Sequence, residues 1–153
     1  MRASGTFKVA DFVPAPMPGP AIETAVPVGV ATMNKQYEGE VAGRSATLFT
    51  AAFDQSTGTG TYVAMESFDG GLHGRSGAFN FAHSATTLGE GRQSEFFVIV
   101  PGSGTGELAS PALEASPSTR TARTGSGSTT FSASSSAGRP APERNLAGWP
   151  PIG

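Results

Sequence analysis

The sequence predicts an all-β protein, a small antiparallel β-barrel followed by a disordered tail. Three observations carry this. All 12 prolines lie before Val28 or after Val100. Proline cannot donate to a β-ladder, so the proline-free block marks the sheet. Within that block, short alternating runs are separated by glycine-rich links at about 8–15 residue spacing, the rhythm of a sandwich or barrel. No stretch shows a convincing 3.6-residue period. A barrel is favoured because closure removes unpaired edges.

Residues 4–12, SGTFKVADF, alternate as a first strand, with Phe7 and Val9 on one face. The run VPAPMPGPAIETAVP that follows, with Pro14, Pro16, Pro18, Pro20 and Pro27, reads as an extended, polyproline-like crossover. Val28–Tyr37 is a second strand ending at a Gly39–Gly43 link, and residues 44–53 are a third, with Thr47, Phe49, Ala51 and Phe53 on one side. The fourth, TYVAMESF, places Tyr62, Ala64, Glu66 and Phe68 on one face, opposite Val63 and Met65. After the link DGGLHGRSG, with a short strand around Leu72, AFNFAH groups Phe79, Phe81 and His83. SEFFVIV, residues 94–100, is apolar on both faces and suits a strand covered on each side. PGSGTGEL then turns the chain back toward another hairpin.

The composition changes after Leu108. Residues 109–153 hold no valine, one isoleucine, two leucines and two aromatics. Such a segment buries too little apolar surface to offset the entropy of ordering it. The division is therefore 1–108 as the β domain and 109–153 as a disordered tail that adds nothing to the sheet.

The totals exclude several classes. With 14% charged residues and a formal net charge of −2, the chain lacks the basic stripe that nucleic acid requires. It has no cysteine, hence no disulfide, thiol nucleophile or Cys-type zinc site. The N-terminal stretch MRASGTFKVADFV has no apolar run of the signal-peptide kind. No window approaches the roughly 20 apolar residues of a membrane span. A cytoplasmic protein without membrane contact is the expectation. Two histidines and scattered acids do not make metal-ligand spacing, and neither a metal nor another cofactor is expected.

YEGEVAG at Tyr37–Gly43, YVAME at Tyr62–Glu66, GRSGAFNFAH at Gly74–His83 and VPGSGTGEL at Val100–Leu108 together resemble a family of small bacterial proteins of unassigned function. Its members look like allene-oxide-cyclase-type β-barrels. The resemblance covers roughly residues 4–108 and implies about eight antiparallel strands around a narrow interior. The broader superfamily includes cyclases and isomerases of hydrophobic substrates, an implication by fold analogy. Family members continue past the position of Leu108 with a hairpin, where this chain has the Ser/Thr/Ala/Arg/Pro-biased run ASPALEASPSTRTARTGSGSTTF. Back-translated with G or C in third positions and shifted by one nucleotide, Leu113–Thr130 reads approximately as strand, turn and strand. A frameshift near Ala109 is therefore expected, which would leave the barrel incomplete; the coding DNA decides it.

Glu66, Arg75 and His83 are the candidates for chemistry. If Tyr62, Phe68, Phe79 and Phe81 point inward, Glu66 and His83 do so by parity. A carboxylate and an imidazole in a narrow apolar interior can act as acid and base. The plainer alternative pairs Glu66 with Arg75 as a structural ion pair and leaves His83 in water at a strand end. His73 belongs to an exposed link. Gly102-Ser-Gly-Thr-Gly106 lacks the Lys-Ser/Thr and the helix of a phosphate loop, and Gly74-Arg-Ser-Gly77 lacks the last glycine of a nucleophile elbow. Val63 and Met65 on the outer face suit either a homo-oligomer contact or scattered surface apolars.

The leading functional reading is a binding module for a small, mostly apolar ligand. Its contact residues are Tyr62, Glu66, Arg75, Phe79, Phe81 and His83. The runner-up is a cofactor-free isomerase or cyclase using Glu66 and His83, and the third is an inactive frameshifted copy.

Overall fold

The computed structural model describes residues 2–20, 22–89, 91–109 and 127–132. Among the described residues, seven strands form one antiparallel sheet. They are β1 (Arg2–Ala15), β2 (Val28–Gly39), β3 (Val41–Asp54), β4 (Thr59–Leu72), β5 (Arg75–Leu88), β6 (Arg92–Ile99) and β7 (Gly127–Ser132). A 3₁₀ turn, Gly106–Leu108, follows β6. The strand order is β6-β5-β4-β3-β2-β1-β7, so β1 to β6 are a plain meander and β7 adds on the far side of β1. Among the described residues β6 and β7 do not pair with each other, and the sheet is open there.

The strands are longer than the sequence pattern predicts, because the glycine-rich links are absorbed into them. Only His73 and Gly74 lie between β4 and β5, both at positive φ (51° and 77°), the two-residue turn whose twist matches a hairpin. The expected short strand at Leu72 is simply the end of β4. The Gly39–Gly43 link likewise shrinks to Glu40, and Val41 is fully buried at the start of β3.

Alternation decides the faces. Ala31, Met33, Lys35 and Tyr37 on β2, Ser45 and Thr47 on β3, Ala64, Glu66 and Phe68 on β4, and Phe79, Phe81 and Ala85 on β5 all point to one side and are buried. That side is concave: one core cluster takes Ala3 from β1 and Phe97 and Ile99 from β6, strands with four others between them in the ladder. Phe7 packs against the same cluster. Gly43, Gly70 and Gly77 stand in one row across β3, β4 and β5. A Cβ at any of them would sit 2.1–2.4 Å from a backbone oxygen of an adjoining segment.

Two bulges break the alternation. One lies between Val9 and Asp11 of β1, after which the even-numbered Phe12 and Pro14 oppose Met33 and Ala31 on the concave face. The other lies in β6, where the pairing with β5 shifts between Ser84 and Thr86 and Ser94 has a φ of 51°. Beyond it Arg92 opposes Thr87, on the side that plain alternation from Phe97 denies it.

Three expectations need correction. β6 is not covered on both faces, since Phe96 points outward and is exposed. Val100–Leu108 forms no hairpin turn. It lies along the part of β5 that β6 leaves unpaired, with Val100 N–H donating to the Asn80 carbonyl and Thr105 N–H to that of Ala78, both at 2.8 Å. Glu107 accepts from Ser76 N–H at 2.7 Å, and Leu108 fills the end of the core. The segment satisfies an edge that would otherwise be bare. Finally, the tail was expected to add nothing to the sheet, yet Gly127–Ser132 pairs with Arg2–Phe7. β1 offers an open row of donors and acceptors there, and a β-capable stretch such as GSTTFS pairs through its backbone whatever its side chains. The remaining tail, including Trp149, lies outside the described residues. No helix among the described residues is long and apolar enough to cross a membrane.

Candidate functional site

The concave face is stratified along the strands. Tyr37, Val41, Phe68, Leu72, Phe79, Phe81 and Leu108 pack one end solidly. The other end opens into a cavity, and a polar layer separates the two.

Glu66 is the centre of that layer and is 0 % exposed. Its Oε2 accepts from Lys35 Nζ at 2.5 Å and from His83 Nε2 at 3.2 Å. Its Oε1 accepts from the hydroxyls of Tyr37 and Ser45. Burial pushes the Glu66 carboxyl up, but the His83 hydrogen bond, the Lys35 ammonium and the Ser45 hydroxyl outweigh it and hold the pKa down to about 2. Lys35, only 6 % exposed, has the Phe7 ring 5.0 Å from its Nζ. Thr47, opposite Glu66 in the ladder, has a buried hydroxyl without a protein partner.

His83 links this layer to the cavity. With Nε2–H donating to an ionised Glu66, a neutral ring presents bare Nδ1 to the Tyr62 hydroxyl, 3.3 Å away. Its ring stacks on Phe81 at 5.7 Å and meets Tyr62 edge-on.

The cavity, about 590 Å³, is lined by residues of β1 to β6. Phe12, Phe49, Phe53, Val30 and Pro14 form its apolar walls, and Tyr62 and Arg92 belong to its lining. Phe12 meets Phe49 edge-on at 6.2 Å, Phe49 stacks on Tyr62 at 5.3 Å, and the Arg92 guanidinium lies 5.6 Å over the Tyr62 ring. Phe12 and Phe53 are about half exposed at its rim.

The six residues expected at the site separate into three places. Tyr62, His83 and Glu66 form one hydrogen-bonded chain. Phe79 and Phe81 are in the packed core and do not line the cavity. Arg75 is exposed at the start of β5, opposite Leu72, whereas Glu66 opposes Phe81. The expected Glu66–Arg75 ion pair is therefore corrected: Lys35 holds that position. Nor is His83 in water at a strand end, since it is largely buried and bonded on both ring nitrogens.

The reading of the residues missed Lys35, Tyr37, Ser45 and Arg92. The first two had a visible signal: in Ala31, Met33, Lys35, Tyr37 a lysine stands in the apolar register. Arg92 had none, because a bulge puts it on the concave side. Among the described residues no group of three His, Asp or Glu is arranged to hold a metal.

Fold and site define a class: a curled single-sheet antiparallel protein with a buried ion cluster beneath an aromatic cavity. The chain belongs to the DUF3224 family, proteins of unknown function, which it matches over residues 3–133. That match runs past Leu108, where the resemblance read from the glycine motifs ends. The crystal structure of a protein of unknown function from the DUF3224 family of Shewanella oneidensis MR-1 is similar, with 29% identity over 71% of this chain and 79% of that one and a TM-score of 0.61. No curated protein matches the chain.

Proposed function

We propose that this chain is a small-molecule-binding protein that takes a mostly apolar ligand in the cavity lined by β1 to β6. Its curled sheet is then a variant of the allene-oxide-cyclase-like barrel. The observation that carries the proposal is the cavity itself: about 590 Å³, within the usual 300–1,000 Å³ of ligand sites, walled by Phe12, Phe49, Phe53 and Tyr62. Half-exposed phenylalanines at a concave rim gain apolar burial only when something covers them. Tyr62, His83 and Glu66 act as a braced floor, Phe79 and Phe81 as the packed support under it, and Arg75 takes no part. The reading places the protein in the cytoplasm, with a second copy of the chain as a further partner through the face of Val63 and Met65.

N-phenyl-1-naphthylamine, a neutral apolar fluorophore, tests the cavity. Saturable binding is expected, and Ala51→Trp, which fills the cavity from β3, should abolish it while the far-UV spectrum stays native. No saturable binding to the folded wild type, or unchanged binding to the filled variant, would remove the proposal.

A second reading, a cofactor-free isomerase or cyclase, has the Tyr62–His83–Glu66 chain in its favour. In it Tyr62 meets the substrate, His83 moves the proton and Glu66 orients the ring. A carboxyl held at about 2 stays ionised at neutral pH and is too weak a base to take a proton itself. The layer therefore offers His83 alone rather than an acid–base pair, which is why binding ranks first. Against a third reading, an inactive frameshifted copy, stand the family match through residue 133 and the ladder between β7 and β1.

A further inference from the structure

The cavity's charge has one sign. Of the described side chains lining it, Arg92 is the sole ionised one, and no described Asp or Glu is among them. The ion pairs seen among the described residues, Lys35–Glu66, Arg44–Asp69 and His83–Glu66, do not include Arg92. The nearby Asp54 carboxylate is engaged in its own turn, accepting from Ser56 and Thr57. Arg92 is half-buried, and its contact is the Tyr62 ring, which positions a guanidinium without neutralising it. The β6 bulge is what turns it inward.

We infer that the ligand is an amphipathic monoanion, its apolar body lying along the Phe12–Phe49–Tyr62 series and its acid group, of carboxylate or sulfonate type, paired with Arg92. This rests on the cavity being a ligand site. One guanidinium matches one planar or tetrahedral oxyanion, and its forked N–H donors suit that geometry better than an ammonium would. Beside apolar walls such a pair is screened less than in open water. Gln55 adds a neutral amide to the lining, and among the described lining residues no acidic side chain opposes the anion.

The test compares two probes with nearly the same aromatic body. 8-Anilino-1-naphthalenesulfonate carries the anion and N-phenyl-1-naphthylamine lacks it. The sulfonate should bind the wild type more tightly. Arg92→Gln should weaken the sulfonate about tenfold or more, the scale of a lost charged hydrogen bond, and leave the neutral probe within about twofold. Arg92→Lys should fall between, and decanoate should displace the sulfonate better than decanol does. Equal binding of both probes to the wild type, or an Arg92→Gln variant with an unchanged ratio between them, overturns the inference while leaving the cavity reading intact. If neither probe binds the folded protein, the cavity reading fails first and takes this one with it.

Discussion

Glu66 and Lys35 are a buried ion pair, and such pairs owe their value to being complete. With Tyr37, Ser45 and His83 also donating to it, the carboxylate is fully engaged, and removing either partner strands the other charge. Lys35→Met or Glu66→Leu alone should destabilise by about 3–5 kcal/mol, whereas the double variant should recover at least half of that. Denaturant titrations of the four proteins measure it, and strictly additive losses would deny the coupling. The pH dependence follows from the same group. Its pKa is about 2 in the folded protein against an ordinary 4.5, so the unfolded chain takes up the proton first as pH falls. The stabilisation is complete above about 4.5 and is lost toward 2, a loss of about 3 kcal/mol. In the double variant that part of the acid slope should be missing.

Two glycines of the β4–β5 hairpin show how differently an element can depend on the same residue type. Gly74 has a φ of +77° and open space around it, so Gly74→Ala costs only the left-handed backbone, about 1–2 kcal/mol. Gly77 has an ordinary backbone, but a Cβ there would lie 2.1 Å from the Thr105 carbonyl oxygen and 3.1 Å from Leu108. Gly77→Ala should therefore lift the Val100–Leu108 segment off β5 and take Leu108 out of the core. Limited proteolysis separates the two: cleavage between Val100 and Leu108 should rise in Gly77→Ala and not in Gly74→Ala. Equal protection in both would mean the segment is not seated by that contact. The bulges belong to this scale as well. Each inserts one residue, and each turns a side chain into the cavity that simple alternation places outside.

At the scale of the molecule, the meander leaves an apolar outer stripe. Leu48, Met65, Ala82 and Val98 form one row across β3 to β6, and Thr50, Val63, Ser84 and Phe96 form the next. Leu48, Val63, Met65 and Phe96 are each at least half exposed. The row ends at β6, an edge of the open sheet, where the region past Phe81 is served by Val100–Leu108 instead of a strand. Sedimentation velocity of the wild type should show association that grows with concentration. Val63→Lys with Phe96→Lys should reduce it to a single monomer boundary. A wild type that stays monomeric at the highest concentration would assign these side chains to ordinary exposed surface.

Much of this was legible in the residues. The absence of proline from Val28 to Val100 marks β2 to β6, though not β1, which carries Pro14 in the ladder, or β7. Period-two alternation places Tyr62, Ala64, Glu66 and Phe68 together, because it is a local property of a pleated chain. What alternation cannot supply is the identity of a neighbour on another strand. Glu66 finds Lys35 rather than Arg75 because register sets β2 beside β3 and β3 beside β4, and curling then brings side chains from β2 and β4 together over the concave face. The seat of GSGTGEL on β5 and the pairing of Gly127–Ser132 with β1 are of the same kind, decided by which edges lie bare. By itself the sequence determined strands, their faces and the presence of ionisable groups within an apolar interior. The tertiary structure alone decided which of those groups meet, since bulges, register and curvature act between segments distant along the chain.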